Sequence, residues 1–276
     1  MIRQFYLENE YGEIYYFDYR NQTLITQASG LGFALDIKYL EYDRMYAKSE
    51  YQLPMTEISE TLIFLRGYQG YKAFVDFLSK SKKEHKLHYV TRAFASYTFV
   101  DVSSLSKAEL VSGTIQSQII FKKLSLWIKE KTYEIIANGS SYGKVYPYQY
   151  PFIYANSYQG ITHINNQGLD EAPLNIEIYG AFLNPEITVK KNGNIMQRLK
   201  LYVESEDATL TVISNPSEQV IKMIENGSTY DVYGLQDFEA DNFLFVSHGE
   251  YEIEFKPGVS STTVCRVTLF EGYVGI

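Results

Sequence analysis

Apolar and polar residues alternate with a period of two along most of this chain, the spacing of strands with one covered face. Near the start, Phe5 and Leu7, then Ile14 and Tyr16, alternate with polar residues around a turn at Tyr11-Gly12. The stretch ITQASGLGFAL, residues 25–35, sets Gly30 and Gly32 between two apolar strands. Glycine in that setting signals a bulge or a close backbone approach. Residues 38–55 are Tyr-rich, charged and weakly periodic, and read as an extended arm.

The period changes once. After the apolar run 62–65 and a break at Gly67, Tyr71, Phe74, Val75 and Leu78 recur at i, i+3, i+4 and i+7, which predicts one amphipathic helix. Lys80, Lys82 and Lys83 crowd its C-terminal end, where cations favour the helix dipole. Strands are predicted near 87–102 and 113–123. Beyond about residue 135 the pattern is almost wholly β. Short strands are predicted at 161–165, 174–180, 185–191, 197–204, 208–213, 219–224, 229–234, 243–247, 250–255 and 263–270. Between them stand turn signals such as Asn138-Gly139, Asn192-Gly193, Asn226-Gly227 and Pro257-Gly258. Short strands with regular polar turns predict a sandwich. Tyr146, Tyr148, Tyr150, Phe152 and Tyr154 alternate strictly, so an extended strand sets all five rings on one face. Such a face either packs on a neighbouring strand, domain or subunit, or forms a stacking platform for sugars.

Charge divides the chain. Residues 1–135 carry 17 Lys+Arg and 16 Asp+Glu, whereas residues 136–276 carry 8 and 17. The shift places a domain boundary at 135/136. An acidic half repels phosphate and argues against specific nucleic-acid binding. Cys265 is the sole cysteine, so no intrachain disulfide is expected. No stretch approaches the roughly 20 apolar residues that span a bilayer, and the start lacks a signal-peptide core. The expectation is folding in a cytoplasm, with no membrane insertion.

Reactive chemistry is not signalled. Gly139-Ser140-Ser141-Tyr142-Gly143 matches G-x-S-x-G, but a nucleophile elbow needs a helix after the serine, and Pro147 and Pro151 deny one. Asp237, Glu239 and Asp241 alternate like calcium ligands, yet the sixth and twelfth loop positions hold Asn242 and His248 rather than Gly and Glu. His85 and His88 have no cysteine nearby to complete a zinc set. The expectation is no enzyme activity, no cofactor and no metal. A cell-wall hydrolase has no catalytic phrase in its favour.

Four segments occur in a telling order: ASGLGFAL (28–35), LIFLRGYQGYKAFVDFLSKSKK (62–83), FKKLSLW (121–127) and NIEIYGAFLNPEITV (175–189). In this order, with Gly67-Tyr68-Gln69-Gly70-Tyr71 opening the helix and Ile161 to Ile187 opening a second domain, the chain resembles the distal tail protein (Dit) family of long-tailed phages and tail-like bacteriocins. The resemblance implies a mainly β protein. Residues 1–135 would be an N-terminal β-sandwich with one helix and an extended belt or hairpin. Residues 136–276 would be a galectin-like β-sandwich. It further implies a hexameric ring at the virion tail tip, with copies of itself, the tail tube protein and the tail-associated lysin as partners, and a receptor-binding protein as a further candidate partner. Ring contacts are expected at Gly30, Leu31, Gly32 and Phe33, along an arm containing Tyr39, Tyr42, Tyr46 and Tyr51, and at Tyr71. For Phe33 and Tyr71, simple core packing is an equal expectation. Galectins bind sugar through H-x-N-P-R and a Trp. Here His163-Ile164-Asn165-Asn166-Gln167 lacks Pro-Arg, and Trp127 lies outside that domain, so the fold alone does not imply a lectin. The rival reading is a carbohydrate-binding module contacting host-wall glycans through Tyr146–Tyr154.

Overall fold

The computed structural model describes residues 3–52, 54–139, 158–259 and 262–276. The chain divides into two units: residues up to Lys129 together with Gly272–Ile276, and Glu130–Glu271. The last five residues thus belong to the first unit, a return that local sequence does not signal.

The first unit contains β1 (Gln4–Glu8), β2 (Ile14–Tyr16), β3 (Thr23–Ser29), β4 (Asp36–Tyr42), β5 (Met45–Gln52), β6 (Glu57–Phe64), α1 (Tyr68–Lys80), β7 (His85–Val90), β8 (Ala95–Leu105), β9 (Ile115–Lys123) and the start of β10 (Trp127–Gly139). One run of antiparallel pairs is β2-β1-β7-β8. A second is β3-β6-β9-β8. β8 serves both, because residues 95–100 pair with β7 while residues 100–105 pair with β9. The stretch expected near 87–102 is therefore a hairpin closed at Thr91–Phe94, where the Thr91 amide donates to the Phe94 carbonyl at 2.9 Å. Alternation in β6 points Ile58, Leu62 and Phe64 inward. They meet Phe5, Leu7, Leu87, Ile119, Phe121 and Trp127 in one core.

α1 forms where the periodicity predicts it. Its buried face is Gly70, Phe74 and Phe77, with Tyr71 and Leu78 packed at the margin. Val75 is only half-buried, so the stripe is rotated toward Phe77. The aromatic floor decides this: Phe74 lies 4.8 Å from Tyr15 and 5.9 Å from Phe64, ring centre to ring centre, and Phe77 lies 5.4 Å from Tyr15.

The second unit is a sandwich around its own core, which includes Ile176, Phe182, Leu210, Ile253, Phe255 and Val267. In one layer β11 (Tyr158–Asn166), β19 (Gly249–Lys256), β13 (Glu186–Lys191) and β14 (Asn194–Lys200) pair in that order. In the other, β20 (Thr263–Tyr273), β12 (Ala172–Leu183), β15 (Glu204–Ile213), β16 (Val220–Glu225) and β17 (Ser228–Asp231) pair in order. β10 pairs with β20, and β18 (Leu244–Val246) with β12. Two Asn-Gly turns close hairpins as the sequence predicts. Asn192-Gly193 and Asn226-Gly227 hold φ of 53° and 80°, and 50° and 76°, the left-handed pair a two-residue hairpin requires. Cys265 is buried in this core, and burial pushes its thiol pKa up, which suits an inert packing residue.

Candidate assembly surface

Among the described residues β4 and β5 pair only with each other, as a two-stranded sheet apart from the rest. Seven paired positions give an arm of about 24 Å. Its tip is a two-residue turn in which Asp43 and Arg44 have φ of 25° and 76°. Nearer the root, a bulge falls between Lys38 and Tyr39, and the Ser49 hydroxyl donates to the Lys38 carbonyl at 3.1 Å. Register assigns the faces. Leu40 opposes Ala47 and Tyr42 opposes Met45, so one face of the tip is apolar. Tyr39 opposes Lys48 and Glu41 opposes Tyr46 on the other. Tyr39, Leu40, Tyr42, Met45 and Tyr46 are each half or more exposed. Tyr51 stands opposite Ile37 near the root.

The root is tightly built. Gly30 has φ +81°, and a Cβ there would fall 2.0 Å from the Glu57 carbonyl oxygen. Beside it, a bulge separates Thr26 and Ser29, with Gln27 at φ 53°. Both readings of the glycine signal are therefore met around Gly30. Gly32 has open space at its own Cβ position. It is instead approached by Gly275, where a Cβ would lie 2.7 Å from the Gly32 carbonyl carbon and the Phe33 nitrogen. The Ile276 amide donates to the Leu31 carbonyl at 3.1 Å, and the Lys123 ammonium to the Val274 carbonyl at 2.8 Å. Residues 274–276 thus pin the segment from which the arm departs.

The expected contact residues separate into distinct settings. Phe33 is 71% exposed and is not a core residue. Leu31 is half-buried against the core. Tyr71 packs edge-on to Phe64, centroids 5.5 Å apart at 76°, which is core packing. Tyr146, Tyr148, Tyr150, Phe152 and Tyr154, and Ser140 to Gly143, lie outside the described residues. Two features went unread in the sequence: the apolar pair Leu40 and Met45 at the tip, and the pinning by Gly275 and Ile276. Neither has a local signal, because each depends on register or on a contact some 240 residues distant.

The residues weighed for chemistry are occupied with structure. The Asp241 carboxylate accepts from the Arg198 amide at 2.8 Å, and that of Asp237 from the Glu239 amide at 3.2 Å, so both brace a loop. His88 stacks on Tyr6, centroids 4.2 Å apart, and bonds Glu8 at 2.9 Å. His85 is buried, which holds its pKa below the usual histidine range against the pull of Asp101 and Glu10. Its Nε2 has no hydrogen-bond partner. In β6 the Glu60 carboxyl is 1% exposed with both oxygens unpartnered. Burial pushes its pKa up to about 8, against a lowering by Arg3.

Residues 4–124 match a distal tail protein N-terminal domain, by a family model of that description. Solved structures share the fold along nearly the whole chain. One is a chain of the phage p2 baseplate in its activated conformation with Sr, at 18% identity and TM-score 0.66, covering 97% of this chain and 98% of that one. The same baseplate with Ca gives 18% and 0.64, with coverages of 94% and 99%. The Dit protein of phage SPP1, described as a paradigm of the hub adsorption apparatus in phages infecting Gram-positive hosts, gives 10% and 0.59, with coverages of 97% and 98%. At these identities the likeness shows the fold. No curated protein matches the chain. The matched domain is that of a phage tail-tip component, and it puts the chain at the virion tail tip.

Proposed function

We propose that this chain is the distal tail protein, the hub of a long non-contractile phage tail or a tail-like bacteriocin. In this reading it closes into a homohexameric ring joining the tail tube to the tail-associated lysin and the adsorption apparatus. The observation that carries the reading is the unpartnered arm. A two-stranded hairpin standing alone is marginally stable in water. This one also exposes Tyr39, Leu40, Tyr42, Met45 and Tyr46, an apolar surface that a second chain would cover. An arm reaching from each copy onto the next is a heterologous contact, and repeated rotation closes such contacts into a ring.

Native mass of the purified chain tests the reading. Six copies of a 31.8 kDa chain weigh about 190 kDa. A species near that mass is the expected result. A chain that stays monomeric alone, and also when mixed with tube protein and lysin, overturns the ring.

A further inference from the structure

One row of side chains crosses β1, β7, β8 and β10 in the first unit. Phe5 pairs with Tyr89 and Tyr89 with Ser96, and the pairing of Ile128 with Tyr97 sets Lys129 next in the row. Register puts all four on the face that Phe5, 1% exposed, turns to the core. The row therefore runs from apolar core at β1 to an ammonium at β10.

A pocket of about 260 Å³ lies at the Lys129 end. Phe94, Ser96, Lys129, Tyr273, Gly275 and Ile276 line it, all of them in the first unit. The volume falls below the roughly 300–1,000 Å³ of drug-sized sites, so it suits a small occupant. Its apolar walls are held in place. The Phe94 ring packs 5.8 Å from Tyr89, centre to centre, and the Phe94 amide donates to the Thr91 hydroxyl at 3.2 Å. Tyr273 and Ile276 pack on the core, and the Ile276 amide is tied to the Leu31 carbonyl.

The polar side chains here are donors in want of an acceptor. Ser96 is 6% exposed, and among the described residues its hydroxyl has no hydrogen-bond partner. Lys129, half-buried, makes no ion pair within 4 Å among the described residues. Two residues before it, on the same face of β10, the buried Trp127 has an Nε1 without a partner among them. Indole and ammonium only donate. Leaving buried donors unpaired is costly, and an accepting group would relieve it.

Charge and lining set the class of that group. One ammonium balances one negative charge. A doubly charged phosphate would leave charge against Phe94 and Tyr273, at a cost no partner offsets. A neutral apolar molecule would leave Ser96 and Lys129 unpaired. We propose that this pocket binds a small monocarboxylic acid with an aromatic or aliphatic body. Its carboxylate accepts from the Lys129 ammonium and the Ser96 hydroxyl, and its body packs among Phe94, Tyr273 and Ile276. Gly275 and Ile276 are both a wall of the pocket and the clamp on Leu31 and Gly32. The bound acid thus steadies the segment from which the arm departs. The pocket is built from one chain, so binding does not depend on the ring.

Titration calorimetry with phenylbutyrate and octanoate tests the site, with the two matching amides as controls. The acids should bind at least about tenfold more tightly than the amides. Lys129→Met should weaken the acids about tenfold and leave the amides unchanged. Ser96→Ala should also weaken the acids, while melting of the free protein stays the same or rises, because the hydroxyl removed has no partner. Hydrogen exchange read by mass spectrometry should slow at residues 273–276 when acid is added. Acids and amides that bind alike, or acid binding untouched by Lys129→Met, would overturn the carboxylate. No binding by either acid, or binding that leaves exchange at 273–276 unchanged, would overturn the pocket as its site.

Discussion

Gly30 crosses β6 so closely that a Cβ on it would lie 2.0 Å from the carbonyl oxygen of Glu57, with φ at +81°. Any side chain there meets backbone, which cannot swing aside, in a conformation that L residues rarely adopt. Gly30→Ala is expected to destabilise the first unit by at least about 2 kcal/mol. Gly32→Ala, with open space at its Cβ, should cost much less. Urea midpoints of the two variants check the contrast, and equal losses would contradict it.

Glu60 makes stability depend on pH. Its folded pKa is raised to about 8, whereas the unfolded carboxyl titrates near 4.5. Below the unfolded value both states hold the proton, and the contribution is fully present. As pH rises from there through the folded value, the unfolded chain releases a proton that the folded chain keeps, and stability is lost. The loss amounts to a few kcal/mol, about 5 at most. Glu60→Gln removes the titration. The variant is expected to melt progressively higher than wild type as pH rises from about 5 to about 9. Melting curves that stay parallel across that range would show that the carboxyl is partnered.

The arm should matter to assembly and not to the fold. Leu40, Met45 and Phe33 are exposed, and substitutions of such residues usually change stability by no more than about 0.5 kcal/mol. Leu40→Ser with Met45→Ser, or Phe33→Asp, should leave the melting temperature nearly unchanged while abolishing the high-mass species. Calorimetry paired with native mass measurement reads both arms. A fully hexameric Phe33→Asp protein would remove that residue from the interface.

The rotated helix face has its own test. Phe77→Ala is expected to cost about 3 kcal/mol or more, because it empties an aromatic core site. Val75→Ala should cost less than about 1 kcal/mol, since Val75 is half-exposed. Reversed magnitudes would restore the stripe that spacing alone suggests.

What the sequence by itself determined was local. Period-two alternation, as in Ile58, Leu62 and Phe64, marked which side of each strand is covered, since burial follows the pleat. Asn192-Gly193 and Asn226-Gly227 fixed hairpin closures, because only certain residues tolerate paired positive φ. The order of four phrases pointed to the family, and the charge step pointed to two halves. Tertiary structure decided what depends on distant partners. Val75 gave way to Phe77 because Tyr15 and Phe64 form the floor beneath α1. β8 changed partner at Val100 because β7 ends and β9 continues. Gly275 and Ile276 reached back to Leu31 and Gly32 through backbone contacts, which carry no residue code. Glu60 occupies an inward position of β6 that alternation marks but cannot price, since the cost of a buried carboxyl depends on what surrounds it.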